Sequence, residues 1–565
     1  MKKKTLRFFI LLNFLILTGC AVKEKETIGD PVPEQPSKPA PPKASLLLEK
    51  KLKKSPIRIG ETIFYPSQEL IHFYKNRNYR LSWSDNGKLL TRANLLVQEI
   101  ENSSDEGLEP EDYKINLIKK LLGEIHRLEQ DEEQKLESIV NLDILLTNSF
   151  LLYSSHLIHG RVNPELIDDT WSINYRETNP VEVLENVIES NQLIEAIEEL
   201  KPEAPEYKRL RDALIQYKDI AARGGWPRIT EGPVLKEGSR DNRVITLRKR
   251  LILSGDLKEY TPPDPQVFDK PLEHAVRRFQ KRHGLVVDGI VGPSTLEAIN
   301  VPVERRISQI KLNMERWRWL PKKMEDRYIL INTASFELHV VEQHRTVMKM
   351  KVIVGKPYWH TPIFSAKMSY IELNPNWNIP RSIFAEEILP KIKNDPDYLL
   401  KERIKVLESW SPDANEVDPY SIDWQNVTEE NFKYRLRQEP GPTNPLGKIK
   451  FMFPNRFNVY LHDTPRKNLF ERKERSFSHG CIRVEKPIEL AEYVLRMNQG
   501  WDKKRLLSEI NRGKTKQIEL EQKIPVYILY FTTWVDESGD VYFYKDIYGR
   551  DSILENALKR VSPSA

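Results

Sequence analysis

The run Ser478-His479-Gly480-Cys481-Ile482-Arg483-Val484 gathers the residue types that nucleophilic chemistry requires. A thiol is mostly protonated at neutral pH, and a nearby imidazole can take its proton and later return one to a leaving amine. Gly480 lets the backbone approach a bound molecule closely, and the Cys481 N–H is a natural donor to an oxyanion. Nineteen residues upstream, Phe457-Asn458-Val459-Tyr460-Leu461-His462 alternates apolar and polar residues. That pattern predicts a strand with Phe457, Val459 and Leu461 on one face and Asn458, Tyr460 and His462 on the other. The loop Asp463 to Phe477 is long enough to bring His462 to Cys481. Arg466, Lys467, Arg472, Lys473, Arg475 and Arg483 outweigh Glu471 and Glu474 around it. Positive charge there favours thiolate and attracts a carboxylate; apart from Arg483, these loop charges read as solvated surface.

The 565-residue chain has one other cysteine, Cys20. It closes a segment with Lys2, Lys3, Lys4 and Arg7 at its start, a short apolar core, and the ending Leu17-Thr18-Gly19-Cys20. This is the pattern of a secretory signal, with a core too short for a comfortable membrane span. The ending resembles a bacterial lipobox, which implies cleavage before Cys20 and a diacylglycerol on its thiol. Ala21 in the next position, rather than Asp, favours outer-membrane sorting in a Gram-negative envelope. Cys481 is then the mature chain's only free thiol, in an oxidising compartment. Without the four basic residues of the signal, 84 Lys+Arg face 82 Asp+Glu, which is no electrostatic footprint for nucleic acid.

Elements that could position these residues follow in order. Residues 20–57 are rich in Lys, Glu and Pro and read as an extended linker. Residues 58–223 read as a helical scaffold, with apolar residues at helical spacing in Asn94–Ile100 and Leu142–Leu152. His156 and His159 there have no third candidate ligand and read as core or surface histidines. Glycines and prolines over 224–233 mark a boundary. Residues 240–302 read as three short helices, with Val244, Leu247 and Leu251 on one face and Leu272, Val276 and Phe279 on another. From 325 to 515 the period becomes strand-like, interrupted at about 384–440 by a polar, partly helical insertion. Residues 516–565 read as a C-terminal β-hairpin and helix appendage.

Two resemblances sharpen this outline. Ala275-Val276-Arg277-Arg278-Phe279-Gln280, Gly284-Leu285, Asp288-Gly289, Gly292 and Thr295-Leu296 resemble the three-helix peptidoglycan-binding module. His462 together with Ser478-His479-Gly480-Cys481-Ile482-Arg483 is similar to the signature of the L,D-transpeptidase (YkuD-type) catalytic domain. Asn374–Pro380, Pro440–Gly447 and Lys450–Asn455 point to its large YcbB-type branch. The implied fold is multidomain α+β: a mostly β catalytic domain with a helical capping insertion, an α-helical scaffold and the small module. The resemblance implies Cys481 as nucleophile, His462 as general base and acid, and Arg483, Gly480 and Tyr460 at the oxyanion site. Trp377, Ser478, His479 and Asn444 are implied to bind substrate. Many relatives carry Gly after the catalytic histidine and orient the imidazole with its carbonyl; here the residue is Asp463, whose side chain could take over or interfere.

The implied reaction is ping-pong acyl transfer without metal or organic cofactor. Cys481 attacks the carbonyl before the terminal D-alanine of a tetrapeptide stem, and the side-chain amine of a neighbouring stem resolves the thioester to a 3–3 crosslink. Carbapenems are implied to acylate Cys481. Water as acceptor would make a carboxypeptidase, and a lipoprotein lysine an anchoring enzyme. A non-catalytic wall-tethering lipoprotein and a wall endopeptidase are the alternatives from other classes. The implied partners are peptidoglycan stems and glycan, with the membrane reached through lipid on Cys20, on the periplasmic side of the envelope.

Overall fold

The computed structural model describes residues 42–128, 131–173, 176–411 and 413–561. The expected signal at 1–19 and the lipid-accepting Cys20 lie outside the described residues. No helix among those residues is long and apolar enough to cross a membrane.

The scaffold starts earlier than the composition suggests. Helix α1 (Lys43–Leu52) falls inside the stretch read as linker, because Leu48 and Leu52 are buried with Ile57 and Ile59 in the scaffold core. The central helix α2 (Glu132–His159) starts where the Asp131 carboxylate accepts the Gln134 N–H and buries residues on every side, as a helix enclosed by others must. His156 is a core residue there, its ring 3.0 Å from the Tyr113 hydroxyl. Helix α3 (Pro205–Ala222) does not join that core. Its Tyr207, Leu210, Leu214 and Tyr217 belong to the same apolar cluster as the large C-terminal sheet.

The module comprises α4 (Arg243–Leu253), α5 (Lys270–Arg282) and α6 (Pro293–Ile299) around Val244, Leu247, Leu272, Val276 and Phe279. Buried Gln280 pins its turn, donating to Asp288 (2.7 Å) and the Ile290 carbonyl (2.9 Å) and accepting from Gly289 N–H (2.9 Å). Helix α7 (Val303–Arg318) then leads to the sheet.

Strands β1 (Arg327–Asn332), β2 (Glu337–Glu342), β3 (Arg345–Gly355) and β4 (Phe364–Leu373) are followed by a second small sheet. That sheet consists of β5 (Trp377–Asn378), β6 (Ile404–Leu407), β7 (Glu416–Val417) and β8 (Arg435–Gln438) in the order β7-β6-β8-β5. The insertion is therefore a cap with its own sheet and core, Phe384 stacking on Phe432 at 4.2 Å, and it begins at Trp377 rather than at 384. The main sheet resumes with β9 (Ile449–Met452), β10 (Leu461–His462), β11 (Ser476–Ser478), β12 (Ile482–Val484) and β13 (Lys516–Leu529). It runs β11-β3-β12-β10-β9-β4-β13-β1-β2, and the β3–β2 pairing closes it into a barrel. β13 lies between β4 and β1, so residues 516–529 are part of the barrel wall. Only the hairpin β14 (Thr533–Val535) and β15 (Val541–Phe543) and the helix α8 (Arg550–Val561) remain of the expected appendage.

Candidate active site

The site is written across the barrel wall. Leu461 and His462 pair in parallel with Ile482 and Arg483, while Lys450 pairs with His462 and Glu372 with Lys450. Glu372, Lys450, His462 and Arg483 thus form one row, on the face opposite buried Ile371, Phe451, Leu461 and Ile482. One step back along the same face stand Tyr460 and Cys481. The expected strand over 457–462 is shorter than its alternation, covering only Leu461 and His462. Before it, Asn455 ties a turn through Phe453 O and Val459 O, both at 2.7 Å, and Asn458 takes a left-handed φ of 54°. Tyr460 and His462 still share a face, their rings 5.7 Å apart.

His462 is 4% exposed, and its Nδ1 lies 2.6 Å from the Asp463 carbonyl. That contact makes Nδ1 the protonated nitrogen and leaves Nε2 as the basic one. Burial first, and the charge of Arg483 second, lower the imidazole pKa to about 3, so the ring is neutral at physiological pH. The Asp463 carboxylate turns away from it. It accepts from Lys448 N–H (2.8 Å) and Thr464 N–H (2.7 Å) and pairs with Lys467 (2.6 Å). The acidic side chain therefore neither replaces the carbonyl nor competes with it. Gly447, at φ +61°, is required opposite: an added Cβ would collide with that carboxylate.

Cys481 is part-exposed. Its sulfur lies 3.9 Å from the Asn458 carbonyl. Burial pushes the thiol pKa up, opposed by hydrogen bonds from the Tyr460 main chain and hydroxyl and by the charges of Lys450 and Arg483. The basic surroundings therefore do not produce a resting thiolate, contrary to what the loop charges suggested: desolvation outweighs them.

The remaining expected residues divide. Arg483 stays beside Cys481; its Nε is buried and no acceptor meets it among the described residues. Gly480 carries a φ of 112° that a side chain would strain. Ser478, expected to bind substrate, is 2% exposed and shapes the loop instead, its Oγ donating to Cys481 O (2.5 Å) and accepting Gly480 N–H (3.1 Å). Asn444, expected likewise, is fully buried; its amide is consumed by Pro375 O, Glu439 O and Leu446 N–H. Trp377 packs against the cap core. His479 packs against Trp359, ring centres 3.9 Å apart and tilted by 40°, and brings its Nε2 to 3.1 Å from Glu387 of the cap. Arg475 is not solvated surface: it is 7% exposed and donates to Val352 O and Phe336 O. Lys450 was missed. Its Nζ sits 4.2 Å from the Tyr460 ring centre, with burial lowering its pKa, and only its place in the same alternating row could have revealed it.

Family comparisons agree with this geometry. Residues 326–528 match the L,D-transpeptidase catalytic domain, 240–299 a "Putative peptidoglycan binding domain", and 68–214 a scaffold domain. The chain therefore carries a YkuD-type L,D-transpeptidase catalytic domain together with a peptidoglycan-binding domain. A Haemophilus influenzae protein named "Putative L,D-transpeptidase" is 36% identical over 249 residues, 44% of this chain and 49% of its own, so the chain spans about half the length of that relative. The N-acetylmuramoyl-L-alanine amidase CwlM of Mycobacterium tuberculosis is 38% identical over 80 residues, 13% of this chain and 20% of its own. A solved L,D-transpeptidase from Mycobacterium smegmatis is 10% identical with a TM-score of 0.18, covering 36% of this chain and 58% of that one.

Proposed function

We propose that the protein is a peptidoglycan L,D-transpeptidase that forms 3–3 crosslinks through Cys481. The observation that carries this reading is the placement of a neutral, oriented His462 and a desolvated Cys481 thiol on one face of two paired strands, beside an Arg483 whose buried Nε meets no acceptor among the described residues. A neutral thiol–imidazole pair reacts as a unit. As sulfur attacks the carbonyl before the terminal D-alanine of a tetrapeptide stem, the thiol proton passes to His462 Nε2. The carbonyl oxygen gathers charge, stabilised by the Cys481 N–H and the Tyr460 hydroxyl. Collapse breaks the C–N bond, the imidazolium returns its proton to the departing amine, and a thioester remains. The side-chain amine of a second stem then attacks the thioester and gives up a proton to His462, and the thiol re-forms. Arg483 offers its buried guanidinium to a stem carboxylate.

The matched binding domain supports peptidoglycan as substrate. The lipobox-like Leu17-Thr18-Gly19-Cys20 supports a lipid-anchored protein of the cell envelope. Purified protein incubated with disaccharide-tetrapeptides is expected to release D-alanine and yield 3–3 dimers, both lost in Cys481→Ala. A carbapenem is expected to add once, at Cys481. Tripeptide product without dimers would make the protein a carboxypeptidase, and dimers formed equally by Cys481→Ala would sink the proposal.

A further inference from the structure

We infer that Thr361 is a positioning residue that aims the Cys481 N–H into the cleft, braced by Tyr548 and, from the scaffold, through Arg550. This rests on the acyl-transfer reading above.

Thr361 is fully buried and lies outside the Cys481 loop. Its hydroxyl donates to the Gly480 carbonyl at 2.9 Å and accepts the Gly355 N–H at 3.0 Å. The Gly480 carbonyl and the Cys481 N–H belong to one planar trans peptide, so they point in opposite directions. Drawing the carbonyl inward onto Thr361 turns the N–H outward, where it meets no backbone carbonyl among the described residues. The neighbouring Gly480 N–H is spent on Ser478 Oγ, so that donor is not available beside the Cys481 N–H. Gly480 at φ 112° would otherwise let that peptide rotate. A single hydroxyl therefore decides whether the oxyanion donor faces the substrate.

Thr361 is itself held from two sides. The Tyr548 hydroxyl donates to Gly355 O at 2.8 Å and accepts the Thr361 N–H at 3.4 Å. Arg550 reaches the Thr361 carbonyl at 3.4 Å while its Nε pairs with Asp168 of the scaffold at 2.9 Å; both of these side chains are largely buried. Scaffold residues next to Asp168 run alongside the same segment, Ser172 N–H donating to Ile363 O at 3.1 Å and Ser365 N–H to Ser172 O at 3.2 Å. The scaffold thereby reaches the reacting peptide in three steps: Asp168 to Arg550, Arg550 to Thr361, Thr361 to Gly480.

The test compares two reactions of the same thiol in the full chain. Acylation by a tetrapeptide donor, followed by intact mass, needs the oxyanion donor; alkylation by iodoacetamide does not. Loss of a whole oxyanion donor costs about 10²–10³ in rate, and a misaimed one is expected to cost at least about tenfold. Thr361→Val should slow acylation by that factor and leave alkylation within about twofold. Thr361→Ser, which keeps the hydroxyl, should acylate near the wild-type rate. Tyr548→Phe, remote from the thiol, should show the same split more weakly, and it decides the matter if Thr361→Val does not fold. Wild-type acylation rates in Tyr548→Phe and Thr361→Val, or alkylation falling in step with acylation, would overturn the inference alone. A wild-type protein that gains no acyl adduct would overturn the acyl-transfer reading and this inference with it.

Discussion

His462 Nδ1 lies 2.6 Å from the carbonyl of Asp463, while the carboxylate of that same Asp463 points the other way, onto Lys448 N–H and Lys467. Backbone and side chain of one residue thus serve separate tasks. Asp463→Asn preserves the carbonyl and the shape of the side chain; it loses an ion pair whose lysine is half exposed, a contact worth about 0–1 kcal/mol, and turns one of the two oxygens that accept the Lys448 and Thr464 N–H groups into a donor, a cost to the loop's stability rather than to the carbonyl that holds the ring. D-alanine release is expected to stay within about threefold of wild type. Gly447→Ala should do more harm, because its Cβ would displace the Asp463 carboxylate and shift the His462 support. A steady-state comparison of the two variants checks this; an Asp463→Asn enzyme that is inactive would mean the carboxylate itself serves the ring.

The thiol is predicted to titrate high. Burial raises the Cys481 pKa, and Lys450 and Arg483 oppose that rise. Alkylation by iodoacetamide should therefore climb with pH through and beyond the ordinary cysteine value of about 8.5. Lys450→Met removes one of the opposing charges and should move the midpoint further up, slowing alkylation at pH 8 by a few-fold. A midpoint below 8, or one that Lys450→Met leaves in place, would contradict the role of desolvation.

Why Lys450 escaped the sequence reading while Tyr460 and His462 did not has a physical answer. Alternation within one segment is local and survives even though the strand shrinks to Leu461–His462. The row Glu372, Lys450, His462, Arg483 depends on cross-strand register, set by pairings between residues as far apart as Glu372 and Lys450. The same limit misassigned Lys516–Leu529, an alternating strand by pattern whose neighbours β4 and β1 no local pattern names. The family resemblance implies Ser478 and Asn444 as substrate ligands, but burial and spent hydrogen bonds assign them to the loops. Helix α1 was hidden by its lysines, since only Ser45, Leu48 and Leu52 are buried. The three helices of the module are legible because their apolar spacing is local, whereas Ile229 and Leu235, upstream of the expected start at 240, join its core through distant partners.

Acid stability follows from histidines buried neutral. His462 and His156 are both lowered to about 3 and His283 well below its usual range, in each case chiefly by burial. Unfolded histidines titrate near 6.5, so between that pH and about 3 the unfolded chain binds protons that the folded chain refuses. Stability is therefore complete above about pH 6.5 and lost as pH falls, by about 1.4 kcal/mol per pH unit for each such histidine. Thermal melts from pH 7.5 to 4.5 should show this slope, shallower in His156→Gln. An acid limb unchanged in that variant would assign the proton uptake elsewhere.

Among the contacts that join the binding module to the C-terminal hairpin is one buried guanidinium, next to the more exposed Arg278–Asp540 pair. Arg282 meets Asp256 through Nε at 2.8 Å and through its NH2 nitrogen at 2.6 Å, and donates to Val541 O of β15 at 2.5 Å. Both charged side chains are almost wholly buried. Truncating one member of such a pair strands the other without solvent or partner and typically costs about 3–5 kcal/mol. Arg282→Ala should therefore lower the unfolding free energy by that order in chemical denaturation. Arg282→Ala combined with Asp256→Ala should recover part of the loss, because the stranded carboxylate is gone. Since Val541 loses its donor in both variants, the double mutant should still show faster proteolysis at the 224–233 boundary than the wild type. If the single and double variants lose equal stability, the cost lies in the Val541 contact and not in the buried charge.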